Sequence, residues 1–166
     1  MKKFIPALLL APALLMAADK SPDQSFYEKA AEGGLYEVEL GKLAVDKGTS
    51  PAVKEFGAMM VKDHSAANVK LKAVATKKGI ELPTKPGMLQ MATKAKLEIL
   101  SGETFDKSYV RGMVDDHQKD IAEFEKEAKE GKDGDAKAFA TATLPTLRMH
   151  LKHIQGVATK MGVDAN

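Results

Sequence analysis

The chain has 166 residues, 44% hydrophobic and 29% charged, with 25 basic and 23 acidic side chains and no cysteine. That length and balance fit one soluble globular domain with its own core. The lack of cysteine excludes disulfides, thiolate metal sites and covalent c-type haem, and the scarcity of aromatics, with no Trp, favours helix over sheet.

Met1-Lys2-Lys3 is a short basic region, followed by an apolar run from Phe4 to Met16 and then Ala17-Ala18-Asp19. This pattern reads as a secretory signal peptide over residues 1–18, leaving a domain over 19–166. The run is too short to cross a bilayer core of about 30 Å as a helix, so no transmembrane segment is expected after cleavage. Cleavage also removes Lys2 and Lys3, leaving 23 residues of each sign. A neutral chain argues against a nucleic-acid partner, which demands a net basic face. Export points to the periplasm, with outer-membrane association left open.

Ser21-Pro22-Asp23-Gln24 is a helix start, with Ser21 as cap and Pro22 at the first helical position. The first helix is expected to run to about Lys47, with Gly48 as a left-handed C-terminal cap. Ser50-Pro51 repeats the start signal at once, so the second helix, to about Lys78, must return antiparallel. Val53, Phe56, Met60, His64, Ala67, Leu71 and Val74 mark its buried face. Residues 79–102 read as a crossover holding a short helix from Met88 to Leu100, with Leu89, Ala92, Leu97 and Leu100 partly buried. A third long helix follows, capped by Ser101 or Thr104 and reaching about Glu130, with Phe105, Tyr109, Met113, His117, Ile121 and Phe124 on one stripe. Asp133-Gly134-Asp135 opens the fourth, in which Pro145 is expected to kink or restart the helix. The whole is an all-α four-helix bundle: two antiparallel hairpins joined by a long crossover.

One phrase occurs twice. Met60-Val61-Lys62-Asp63-His64 and Met113-Val114-Asp115-Asp116-His117 agree at four of five positions in a chain with only four histidines. Counting from the turns at 1.5 Å per residue puts Glu37, His64, His117 and His150 at one height on four helices. Asp120 shares the face of His117 and is expected to orient its imidazole. His153, three residues after His150, is read as a second ligand or a surface residue. Asp63 and Asp116 are expected to flank a seam between helices. Imidazole with carboxylate suits iron, zinc or copper, and the thioethers of Met60 and Met113 would favour copper(I). The same residues could equally form a hydrogen-bonded polar layer that sets helix register.

The segments Ala30 to Ala44, Phe56 to His64, Phe105 to His117 and Leu144 to Leu151 resemble, in order, a bacterial family of exported domains of unknown function, often labelled outer-membrane. The resemblance implies a ferritin-like fold with no assigned activity. The di-iron members of that fold use Glu-x-x-His pairs. No Glu-x-x-His occurs here, which disfavours a di-iron oxidase.

Two readings stay open. In the leading one the protein is a non-enzymatic bundle holding a divalent transition metal at Glu37, His64, His117, Asp120, His150 and His153, for metal storage, buffering or envelope stress defence. In the other it is a structural or protein-interaction module whose polar layer serves the fold.

Overall fold

A computed structural model of the chain describes residues 21–164. The expected signal peptide lies outside the described residues. Five helices follow one another: α1 (Pro22–Lys47), α2 (Pro51–Lys77), α3 (Met88–Glu98), α4 (Gly102–Glu130) and α5 (Gly134–Met161). No strand occurs among the described residues. The four long helices, of 26 to 29 residues, are each about 40 Å in length. α1 packs chiefly on α2 and α4 on α5, which makes the two hairpins of a ferritin-like bundle, with α3 in the crossover.

The helix starts follow local chemistry. Ser21 Oγ accepts the Gln24 N–H at 3.1 Å, and Asp133 Oδ1 accepts those of Asp135 and Ala136 at 2.9 and 3.0 Å. Ser50 makes no side-chain cap bond. The turn before α2 is held from across the bundle instead. The buried Asp106 of α4 accepts the backbone N–H of Thr49 at 3.0 Å, that of Ser50 at 2.8 Å and the Thr49 hydroxyl at 2.5 Å.

Three local expectations are corrected. Gly48 is not left-handed: its φ is −55°, and glycine is needed there because a Cβ would lie 2.5 Å from the Ala44 carbonyl oxygen. Pro145 does not interrupt its helix, for α5 is continuous from Gly134 to Met161. Pro145 and Thr141, whose carbonyl loses its partner, both face solvent, where that carbonyl is open to water. Finally, α3 buries less than its pattern suggests. Leu97 is buried and Leu100 partly so, but Leu89 and Ala92 are exposed because α3 lies on the outside of α1 and α4.

α1 and α2 approach closely where two glycines face each other. A Cβ on Gly41 would stand 2.6 Å from the Gly57 carbonyl oxygen, and one on Gly57 2.7 Å from that of Gly41. The apolar interior divides in two. One cluster gathers Leu40, Phe56, Met60, Phe105, Tyr109, Met113 and Ile154. The other holds Phe26, Tyr27, Leu71, Phe124, Ala140 and Leu147. On every long helix the residue at the boundary is polar and buried: Glu37, His64, His117 and His150.

Candidate metal centre

This boundary layer follows from helical spacing. His64 stands one turn after Met60, His117 one turn after Met113, and His150 three residues after Leu147, so each ring is carried on the stripe that builds the core. Phe56 supports the layer from one side, with its ring centroid 6.0 Å from that of His117 and 6.3 Å from that of His150. The three imidazoles converge, with centroids 5.4 to 5.9 Å apart. Each can offer one ring nitrogen so that all three nitrogens lie within 4.8 Å of one another.

Hydrogen bonds set the tautomers. His117 Nδ1 lies 2.9 Å from the Met113 carbonyl oxygen, which can only accept, so Nδ1 carries the proton and Nε2 is bare. His150 Nε2 donates to Asp63 Oδ2 at 3.0 Å, so Nδ1 of His150 is bare. These two bare nitrogens face each other at 3.4 Å. His64 Nε2 is buried without any hydrogen-bond partner. Burial, with the neighbouring imidazoles, depresses His64 to about 3 and His117 to about 4. It lowers His150 as well, against the opposing pull of Asp63. All three rings are therefore neutral at pH 7, with lone pairs available.

Glu37 borders the layer without joining the nitrogen cluster. It is 1% exposed, neither oxygen has a hydrogen-bond partner, and Oε1 lies 3.7 Å from His117 Nδ1. Burial, reinforced by Asp120 and Asp116, raises it well above the usual carboxylate range. Beside a neutral imidazole this carboxyl forms no ion pair. Asp120 is not the orienting partner of His117, because the ring's Nδ1 is already committed to Met113. It faces Glu37 instead and is raised to about 7, by burial first and then by Asp116 and Glu123. Asp116 is raised to about 6 by burial. Glu37, Asp116 and Asp120 line one cleft of about 410 Å³. His153 stays outside the cluster, its ring 5.7 Å from that of Phe56 and beside a separate surface cleft.

The carboxylate that does orient a ring is Asp63. The seam position expected for it is right, and from there its side chain reaches across from α2 to α5. Its place one residue before His64 within the repeated phrase was the available signal.

Fold and site together define a ferritin-like four-helix bundle with a buried histidine layer. The chain belongs to the family described as Domain of unknown function (DUF4142), whose model matches residues 11–157. No curated relative matches it. Solved structures share the fold at low identity. A DUF305 protein from Streptomyces coelicolor, described as secreted, superposes with a TM-score of 0.73 at 14% identity, over 88% of this chain and 97% of that one. A DUF305 fragment from Deinococcus radiodurans gives 0.71 at 15% identity, covering 85% and 97%. CopM in its Cu(I)-bound form gives 0.69 at 14%, covering 85% and 98%.

Proposed function

We propose that this protein binds one late first-row transition-metal ion through His64, His117 and His150, and that it sequesters or carries the ion and is not an enzyme. The observation that carries this reading is the set of bare ring nitrogens. Two lone pairs facing each other across 3.4 Å, with the buried His64 Nε2 unpartnered nearby, make a ready seat for an electrophile. Metal–nitrogen bonds of about 2.0–2.1 Å give nitrogen–nitrogen separations of roughly 3.3–3.6 Å in trigonal or tetrahedral sites, and the His117–His150 spacing already matches.

Copper(I) suits the donors best. Three neutral ligands in an apolar interior leave the whole ionic charge uncompensated, which favours a monovalent ion over a divalent one. The buried thioethers of Met60 and Met113 lie one turn from two of the ligands, and soft sulfur also selects copper(I). Support comes too from CopM, a structural neighbour known in a Cu(I)-bound form. With the N-terminal segment acting as an export signal, the site would operate in the cell envelope, in metal handling or stress defence. No helix among the described residues is long and apolar enough to cross a membrane.

The test is metal titration of untagged protein, with Cu(I) under anaerobic reducing conditions and with Zn(II) in parallel. One equivalent of Cu(I) with a rise in Tm is expected, lost in the His64→Gln and His117→Gln variants. Less than a tenth of an equivalent of either metal, with no gain in Tm, would leave the layer as a device for helix register only.

A further inference from the structure

We infer that the acidic cleft above Glu37 is the port through which the ion reaches the histidine layer, an inference that rests on the metal reading above. The cleft lies between α1, α3 and α4 and presents Glu37, Asp115, Asp116 and Asp120 against a single lysine, Lys119. A concave site in which acidic groups outnumber basic ones draws cations in, and an arriving cation favours the ionised form of each carboxyl it meets. Glu37 closes its inner end, 1% exposed and with both oxygens unpartnered, where a cation entering from solvent would find its first buried donor.

The cleft also leads to the ligands. Its wall shares Gly33 and Asp120 with a narrow cavity of about 40 Å³ that is lined by His64 and is capped towards solvent by the Lys29–Glu123 ion pair. His64 is the one of the three residues with any residual exposure, 7% against 0% for the other two. At the junction, Gly33 leaves the passage open, since a Cβ there would meet only Asp120 Oδ1, at 3.9 Å. The surface cleft beside His153 offers no such route: it sets Lys152 and Lys160 against one acid, Glu55, and reaches none of the three ligands.

Plugging a route slows entry and exit alike and leaves affinity unchanged, whereas removing a ligand weakens affinity. Gly33→Met fills the junction, and as a better helix former than glycine it does not weaken α1. Gly33→Ala serves as the small control, and Asp120→Asn removes the ionisable carboxyl at the same point. Entry is measured by exposing metal-free protein to tetrakis(acetonitrile)copper(I) for timed intervals and quenching with excess bathocuproine disulfonate. Exit is measured as growth of the chelator's colour from loaded protein. Gly33→Met is expected to slow both by tenfold or more, with stoichiometry unchanged and Kd within about threefold. Asp120→Asn is expected to slow loading several-fold, and Gly33→Ala to behave as the wild type. Wild-type rates in both Gly33→Met and Asp120→Asn overturn the port while leaving the metal site standing. A faster exit with lower affinity in Asp120→Asn would make that residue a ligand and overturn its place on the route. No loading of the wild type overturns both proposals.

Discussion

His117 Nε2 and His150 Nδ1 stand 3.4 Å apart with no proton between them, because each ring has given its N–H to a different acceptor, the Met113 carbonyl and the Asp63 carboxylate. Without a cation this contact sets lone pair against lone pair, and His64 adds a third desolvated nitrogen. The metal-free layer is thus held together by its surroundings, and functional sites are where such local conflict is found.

Stability and binding should therefore trade against each other at His64. Replacing an unpartnered buried polar group with an apolar one of similar size removes a desolvation cost of about 1–3 kcal/mol. His64→Leu is expected to raise the unfolding free energy of metal-free protein by about 1 kcal/mol and to abolish stabilisation by Cu(I). Urea unfolding in the presence and absence of chelator measures both. A clear loss of metal-free stability would mean that the ring makes favourable contacts in the empty layer.

Acid should act through the same rings. His64 and His117 are depressed to about 3 and 4 in the folded chain, so below the ordinary value of 6.5 the unfolded chain binds more protons. Their neutral forms allow full stability above pH 6.5, and stability is lost as pH falls from there towards 4. Glu37, Asp116 and Asp120 are shifted upward and act in the opposite sense. They favour the folded state in acid, and that contribution is lost as pH rises through their folded values. The wild-type profile is accordingly shallow, and the histidine part emerges by difference. Relative to wild type, the metal-free His64→Gln/His117→Gln double variant should gain about 1.4 kcal/mol per pH unit for each histidine removed as pH drops below 6.5. Denaturant midpoints at pH 5 and pH 7.5 read this out, and parallel profiles would contradict it.

Asp63 holds the His150 ring in the tautomer that bares Nδ1. Outer carboxylates of this kind typically contribute 10–100-fold in metal affinity. Asp63→Asn can present its amide nitrogen as well as its oxygen to the ring, and so no longer fixes the proton on Nε2. Cu(I) affinity is expected to fall about tenfold or more with the helical content and thermal midpoint of metal-free protein little changed. Competition against a chromophoric chelator is the measurement.

Asp106 makes a prediction about the fold alone. It accepts two backbone N–H groups and a hydroxyl at the α1–α2 turn, and it is 2% exposed. Asp106→Ala removes the acceptor of all three donors; Thr49 is exposed and Ser50 partly buried, so water replaces part of what is lost. A loss of about 1–2 kcal/mol is expected from denaturant unfolding, with metal stoichiometry preserved in the fraction that remains folded.

The heights of the key residues were legible in the sequence, their rotations less so. Fixed rise per residue and short turns bring His64, His117 and His150 to one level by counting alone. Which neighbour bonds which ring depends on side-chain reach across a seam, and counting does not supply that. Asp120 was expected to orient His117 because it shares a helix face, yet the carbonyl of Met113, one turn earlier, takes that proton. Asp63 reaches His150 from another helix, a link with no counterpart in local spacing. Leu89 has the periodicity of a buried residue but sits 86% exposed, since a crossover helix has only one neighbouring surface to pack on. Gly48 shows that a glycine after a helix can be demanded by crowding and not by backbone sign.

The facing glycines Gly41 and Gly57 bring α1 and α2 into close backbone approach, so the first hairpin is packed as one plate. His64 belongs to that plate, while His117 and His150 belong to the other. An ion gripped by all three would rivet the halves together at mid-height, and its arrival would be felt as slower breathing of the seam and greater resistance to proteases.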